Sequence, residues 1–328
     1  NYSNGCAVTV DVSYPSTPLY LHYNPELVAG MLRPIFAYAA MDRWPWPFAP
    51  HDIGTYPLLH GQVYGGQDGS NLRDQMPVEE SGNMLIMTAA YTLASGDTTL
   101  AADNIELLTQ WTHYLIDHGM YPGDQLCTDD FAGHLAHNVN LAAKALMGIA
   151  AMGLISGQMA RSGPLRQRLL WLESAKDFRQ ASRDYAADWR HRARNADGSY
   201  RLTFDRPGSW SLKYNLIWDA YFATKLFQPE DLDAETHGYL TQLKRYGVPL
   251  DERHSYSKSD WQIWAACLLT VDDPDEGEAG FRSITERMVQ YYNETEDRAP
   301  MTDWYDTESG RQVGFQARSV QGGIFMKL

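Results

Sequence analysis

Residues 126–140 read "LCTDDFAGHLAHNVN", which gathers two aspartates, two histidines and two asparagines in fifteen positions. Carboxylates and imidazoles so placed suit general acid–base chemistry, which needs groups able to exchange a proton near neutral pH. Asp130, His134, His137, Asn138 and Leu141 recur at helical spacing, so a helix over 129–155 would carry them on one stripe that ends after about three turns. A polar cap on an apolar rod fits a rod that ends in a wet cavity. Thr128 suits an N-cap, and Asp129 and Asp130 complement the helix dipole, so capping alone explains those three. It does not explain the stripe beyond them.

Four further clusters have the same character. "APHDIGTYP" at 49–57 and "MPVEESGN" at 76–83 bring Glu79 and Glu80 to a helix start behind Pro77, where the dipole favours acids, together with Ser81 and Asn83. In "SWSLKYNLIWD", Trp210, Tyr214, Trp218 and Tyr221 make an aromatic stripe that suits a core, and Lys213 and Asn215 are the candidates for ligand contact. "YGVPLDERHSYSKSDWQIW" pairs Ser257 with Asp260 as a helix cap, and leaves Asp251, Arg253, His254 and Lys258, with Trp261, as a substrate-ordering network. "TDWYDTESG" and "GFQARSVQGG" supply Asp303, Trp304, Tyr305, Asp306 and Arg318; Gly322 and Gly323 fit close helix packing.

Elements must carry these clusters to one place. Apolar periodicity predicts helices over 25–41, 77–95, 98–117, 129–155, 163–193, 212–226, 230–246, 260–271 and 276–295, with another start near 320. Short turns alternate with long joins, and every cluster sits in a long join or in the first turns of the helix after it. Helices after long joins, such as "NMLIMTAAYTLA", are apolar all round; those before them are amphipathic. Antiparallel pairs of this kind predict an all-α (α/α)₆ toroid whose functional face is the rim at the inner-helix N-termini. Residues 1–23, with their β-branched residues and prolines, read as an extended linker or strand segment, and 24–328 as the barrel. About five hairpins are countable, so a sixth is expected from upstream of this chain.

Composition narrows the partners. A net charge of −14 without a basic cluster argues against nucleic acid or an anionic membrane surface and favours a small-molecule substrate. No apolar run approaches the roughly 20 residues of a membrane span, and no signal-peptide core is visible. Cys6, Cys127 and Cys267 form no disulfide framework or zinc spacing, so no metal or cofactor is expected. "VDDPDEGE" at 271–278 lacks EF-hand spacing and reads as a solvated turn.

"MPVEESGNMLIM", "CTDDFAGHLAHNVNLAAKALMGIAAM", "YGVPLDERHSYSKSDW", "TDWYDTESG" and "GFQARSVQGG", in this order, resemble the glutaminase A family from about residue 9 to the C-terminus. Cys127 departs from the Ser common there. The resemblance implies a glucoamylase-like toroid, an upstream β-rich domain, export to the medium or periplasm, and hydrolysis of L-glutamine to glutamate and ammonia. It does not assign catalytic residues. For a glutaminase, Thr128, Ser81 or a water could attack, Lys258 or a carboxylate could act as base, and Arg253 or Arg318 could hold the α-carboxylate. A glycosidase on the same toroid needs two carboxyl groups across the mouth, with Glu80 and Asp129 or Asp130 and Asp306 as candidate pairs. A non-catalytic carbohydrate-binding toroid would use the aromatic residues but not so many acids.

Overall fold

The computed structural model describes residues 5–65, 72–271 and 274–327. Its helices are α1 (Val10–Tyr23), α2 (Glu26–Ala39), α3 (Pro77–Ser95), α4 (Thr99–Asp103), α5 (Ile105–His118), α6 (Val139–Ser162), α7 (Leu165–Ala193), α8 (Ile217–Phe222), α9 (Pro229–Thr241), α10 (Ser259–Leu268) and α11 (Pro274–Glu294). A 3₁₀ turn, Tyr214–Leu216, leads into α8, and a longer 3₁₀ segment, Ser319–Lys327, ends the described chain.

These elements make a ring. α1 touches α3, α3 touches α6, α6 touches the 214–222 segment, that segment touches α10, α10 touches Ser319–Lys327, and Ser319–Lys327 returns to α1. α2, α5, α7, α9 and α11 lie outside it, each against one or two inner elements. The inner helices α3, α6 and α10 are almost wholly buried, whereas α7 and the other outer helices expose a charged face. The all-α toroid is therefore as the periodicity predicts, and its long joins all meet the N-termini of inner elements.

The extended reading of residues 1–23 is corrected: Val10–Tyr23 is helix, and it is part of the ring. Pro15 and Pro18 each remove a helix hydrogen bond, and the segment has no amphipathic period because it is packed on several sides, burying Val10, Ser13, Tyr14, Pro15, Ser16, Thr17 and Pro18. The hydroxyls of Ser13, Ser16 and Thr17 donate to the carbonyls of Thr9, Val12 and Ser13, so the polar residues are satisfied within the helix. α1 supplies, within this chain, the inner element that the sequence count lacked, and five outer helices, α2, α5, α7, α9 and α11, stand around the ring among the described residues. The seam of α1 with Ser319–Lys327 depends on Gly322 and Gly323: a Cβ on the first would stand 2.9 Å from the Ser16 carbonyl oxygen, and on the second 3.0 Å from that of Pro15.

A second correction concerns α6. It begins at Val139, not at 129, and Asn138 caps it by accepting from the backbone N–H groups of Asn140 and Leu141 at 2.8 and 3.0 Å. Residues Thr128–Ala132 form a separate 3₁₀ turn that ends at Gly133, and a further turn at Ala136–His137 leads into the Asn138 cap. α6 is also long and apolar enough to cross a bilayer, contrary to the sequence reading, but 94% of its most apolar window is buried within the protein.

Three short strands, β1 (Tyr256–Lys258), β2 (Trp304–Asp306) and β3 (Gln312–Gly314), pair antiparallel in that order and tie together the joins before α10 and Ser319–Lys327. Asp272 and Asp273 of the acidic turn lie outside the described residues.

Candidate active site

Three groups of side chains meet where the inner N-termini converge. The first joins the start of α1, the long join after α2 and the start of α3. Val10 N–H donates to the His51 carbonyl at 2.9 Å, and His51 N–H donates to Gln62 Oε1 at 2.7 Å, so the histidine is fixed by its backbone. Its Nδ1 lies 2.7 Å from Asp52 Oδ2, and Asp52 Oδ1 in turn accepts from Gly54 N–H at 2.7 Å. Nε2 faces Asp11 Oδ1 at 3.4 Å. Burial works against a charged imidazole, but Asp11 and Asp52 outweigh it and hold His51 well above the ordinary histidine range. Glu80 is wholly buried; one carboxylate oxygen accepts from Asn83 at 2.8 Å and the other has no hydrogen-bond partner. Burial, reinforced by Asp11, pushes its carboxyl well up.

The second group is delivered by β1, α10 and the segment before residue 319. Lys258 Nζ is 3.5 Å from Asp260 Oδ2, 4.8 Å from the centre of the Trp261 ring and 5.7 Å from that of Phe131. Asp260 is fully buried with neither carboxylate oxygen hydrogen-bonded, and Ser257 Oγ and Trp261 Nε1 beside it in sequence are also without partners. The Ser257–Asp260 cap read from the sequence is therefore absent, because Ser257 is in strand β1 and Asp260 faces the lysine instead. Burial raises the Asp260 carboxyl to about 6 even though Lys258 opposes the shift. Arg318 forks onto Asp303 at 3.1 and 2.6 Å, and its charge reaches both Asp260 and Asp11.

The third group is the Thr128–Ala132 turn. Arg253, gripped by Asp251 through Nε and Nη2, gives Nη1 to the carbonyls of Ala132 and Gly133 at 3.0 Å each and so fastens the turn over the ring. Tyr214 donates to Asp129 at 2.7 Å and stacks on Trp261 with ring centres 4.0 Å apart. Asp130, half-buried, is the turn's open acid; burial first and the Asp11 charge second push its carboxyl up to about 7, against Lys258 and His51. Beneath it, Glu79 accepts from Thr128 and Lys144, all three buried, and Lys144 Nζ sits 4.0 Å from the Tyr14 ring centre.

Six inner elements close into a ring, three of which, α1, α3 and α10, begin with acids, and the sequence matches one family over the whole chain: residues 1–328 fit the glutaminase A six helical-hairpin domain. The chain belongs to the glutaminase A family. It is 34% identical over 333 residues to Glutaminase A of Aspergillus oryzae, covering 99% of this chain and 45% of that protein. A protein of Arthroderma benhamiae named "Probable glutaminase" is 30% identical over 413 residues, with the same coverage. The chain thus spans about half the length of these curated relatives.

Within this glutaminase A family barrel, the predicted residues divide. Asp130, Glu80, Lys258 and Arg318 come together with Asp303, and Trp261 lies under them. Glu79, Thr128, Asp129 and Asn83 make the buried layer behind. The helical stripe through His134 and His137 is corrected, because residues 133–138 are not helical: His134 faces Asp124 at 3.5 Å, and His137 faces Asp205 at 3.1 Å while stacking on Tyr121. Asn138 is occupied as a cap. Lys213 is corrected from ligand contact to frame, its Nζ bonded to the Ser211 hydroxyl and carbonyl at 2.9 Å and to Glu235 at 3.4 Å. Asn215 bridges inner elements, accepting from Tyr14 and donating to the Asn140 carbonyl. Asp251 and Arg253 hold the turn, and His254 stacks on Tyr256 at the exposed edge. Asp306 caps its own turn through Ser255 and Ser309, and Tyr305 is core, stacked on Tyr291 at 3.5 Å. Trp304, half-buried, joins Phe131 and Tyr256 in an aromatic trio with ring centres 5.1 to 5.8 Å apart.

The sequence reading passed over Asp11, Asp52 and Lys144 and gave His51 no role. Lys144 carried a signal, a lone cation inside the apolar run of α6; Asp11 carried none, since it stood in a segment read as extended. Two large surface clefts lie elsewhere, about 700 Å³ beside Ile105, Tyr114 and Trp171 on the outer helices and about 580 Å³ beside Tyr221, Phe227 and Cys267 on the opposite rim.

Proposed function

We propose that this barrel is a hydrolase of amino-acid amides, with L-glutamine the substrate, releasing L-glutamate and ammonia. One observation carries the reading: buried groups of both signs stand in one cluster, with Asp260, loosely ion-paired to Lys258 at 3.5 Å and near the charge of Arg318, left without a hydrogen bond on either oxygen. A buried carboxylate without hydrogen bonds is costly unless a ligand completes it. An α-ammonium and an α-carboxylate complete this pair of charges; a neutral sugar does not.

Asp260 then receives the substrate ammonium, and Lys258 with Arg318 receives its carboxylate. Asp130, poised to about 7, takes a proton from water as the oxygen attacks the amide carbon. It returns that proton to the nitrogen as the C–N bond breaks, so ammonia and a carboxylic acid leave and the enzyme is restored. Thr128 is a poorer nucleophile than water here, because its hydroxyl is buried against Glu79.

The aromatic trio at Phe131, Tyr256 and Trp304 favours the second reading, a glycoside hydrolase, since such faces stack on sugar rings and Asp130 with Glu80 would supply two carboxyl groups. Measuring ammonia from glutamine beside reducing sugar from a glycan panel separates the two. A KM for glutamine raised at least about tenfold in Asp260→Asn is expected; sugar release with no activity on glutamine would replace the first reading by the second. Work outside the cytoplasm, beside a further domain of a longer precursor, belongs to the same proposal and is supported by the family resemblance and by the extra length of the relatives. Cell fractionation with an antibody against the barrel tests it.

A further inference from the structure

Asp11, His51 and Glu80 present one ligand atom each, and the three atoms lie within 4.8 Å of one another. They arrive from three separate elements, so no spacing in the sequence announces them. We propose that these side chains bind a divalent cation of the zinc class at the floor of the barrel.

The geometry favours an ion over a direct contact. Asp11 Oδ1 and His51 Nε2 are 3.4 Å apart, and Oδ1 makes no hydrogen bond. Two ligands about 2.1 Å from a shared ion at the tetrahedral angle stand about 3.4 Å apart. Glu80 is the independent witness: it is wholly buried, and its Oε1 has no partner while Oε2 is fixed by Asn83. A buried carboxylate oxygen left open toward an imidazole and a second carboxylate is a ligand position.

The surroundings of His51 have the form that metal-binding histidines need. Asp52 holds Nδ1 at 2.7 Å and is itself held by Gly54 N–H, so Nε2, which faces Asp11 at 3.4 Å, is the nitrogen that a bound ion would take in place of its proton. A carboxylate behind the ring fixes its tautomer and raises its basicity. Tyr64 lies against the ring, with centres 4.1 Å apart. One imidazole and two carboxylates suit zinc or its first-row neighbours; calcium and magnesium call for more oxygen ligands. Three protein ligands leave a position for water, the arrangement of catalytic rather than structural zinc. The inference concerns the ion and stands whatever the substrate is.

The test uses the full chain, stripped with a chelator, dialysed, and titrated with Zn²⁺ under elemental analysis, with Co²⁺ as the spectroscopic probe. About one equivalent per chain is expected, together with visible Co²⁺ bands of a tetrahedral nitrogen–oxygen site. Glu80→Gln and His51→Gln should bind less than about a tenth of that, and Asp52→Asn should weaken binding about 10- to 100-fold. Circular dichroism checks that each variant is folded. If a variant is not folded, the Co²⁺ spectrum of the unaltered chain decides. Failure of the unaltered chain to retain Zn²⁺ or Co²⁺, or folded variants that bind as it does, would overturn the proposal.

Discussion

Asp260 carries a liability that a ligand would remove. Its carboxyl is pushed up to about 6 by burial, above the unfolded value of roughly 4. The folded state therefore prefers the protonated form, and stability declines as pH rises from roughly 4 through about 6. Asp260→Asn removes the buried charge, so its melting temperature at pH 8 should exceed that of the unaltered chain by a few degrees, about 2–4 °C for each kcal/mol regained. Thermal melts at pH 5 and pH 8 check this, the difference between variant and parent being smaller at pH 5. The same variant should raise KM for glutamine at least about tenfold, the loss of one charge-assisted contact. Asp130 acts on the rate instead. Asp130→Asn should lower kcat by about 10²–10⁴-fold with the fold retained, and erase the rise of kcat with pH centred near 7 in the parent. Asp130, Lys258 and Arg318 were visible in the sequence because each stands in a loop crowded with unusual polar residues. Asp260 was visible too, but helix capping explained it away. Asp11 and His51 meet only through the ring, and nothing local to either announces the other.

At the scale of elements, the contact between α3 and α6 shows why the floor is rigid. Gly82 lies against Lys144, so a Cβ there would stand 2.7 Å from Lys144 Cγ and 3.3 Å from its carbonyl oxygen. Gly82→Ala should therefore push the lysine stem off its seat beside Glu79 and cost about 1–3 kcal/mol by denaturant unfolding. Removing the cation alone, as in Lys144→Met, leaves Glu79 charged and buried and should cost about 3–5 kcal/mol, with much of the loss restored by adding Glu79→Gln. The boundaries of α3, α7 and α11 were legible because apolar periodicity and flanking turns agree. Those of α1 and α6 were not. In α1 the prolines and β-branched residues argue locally for extended chain, and packing on several sides erases the period that would have argued back. In α6 the true cap, Asn138, followed two acids and a threonine that also look like a helix start.

For the whole molecule, the toroid could be read from the alternation of long and short joins, but its closure could not, since that depends on α1 being helix. The closure makes a prediction opposite to the linker reading. Deleting residues 1–23 should leave a chain with much of its helical far-UV signal but without near-UV dichroism or a cooperative melt, and with strong binding of a hydrophobic dye. A native-like melt of the truncated chain would show that the ring holds without α1.

The seam between α1 and Ser319–Lys327 also bears on how the protein is made. A ribosome delivers α1 before residues 319–327, which follow about three hundred positions later. Throughout that interval, the flank of α1 at Pro15, Ser16 and Leu19 that Gly322 and Gly323 will cover is open to solvent or to other chains. Neighbouring hairpins can pair as they emerge, but long-range closure must wait, and waiting exposes a chain to aggregation. Nascent-chain stalling at successive lengths, read by protease resistance of α1, should therefore show protection arriving in a single late step.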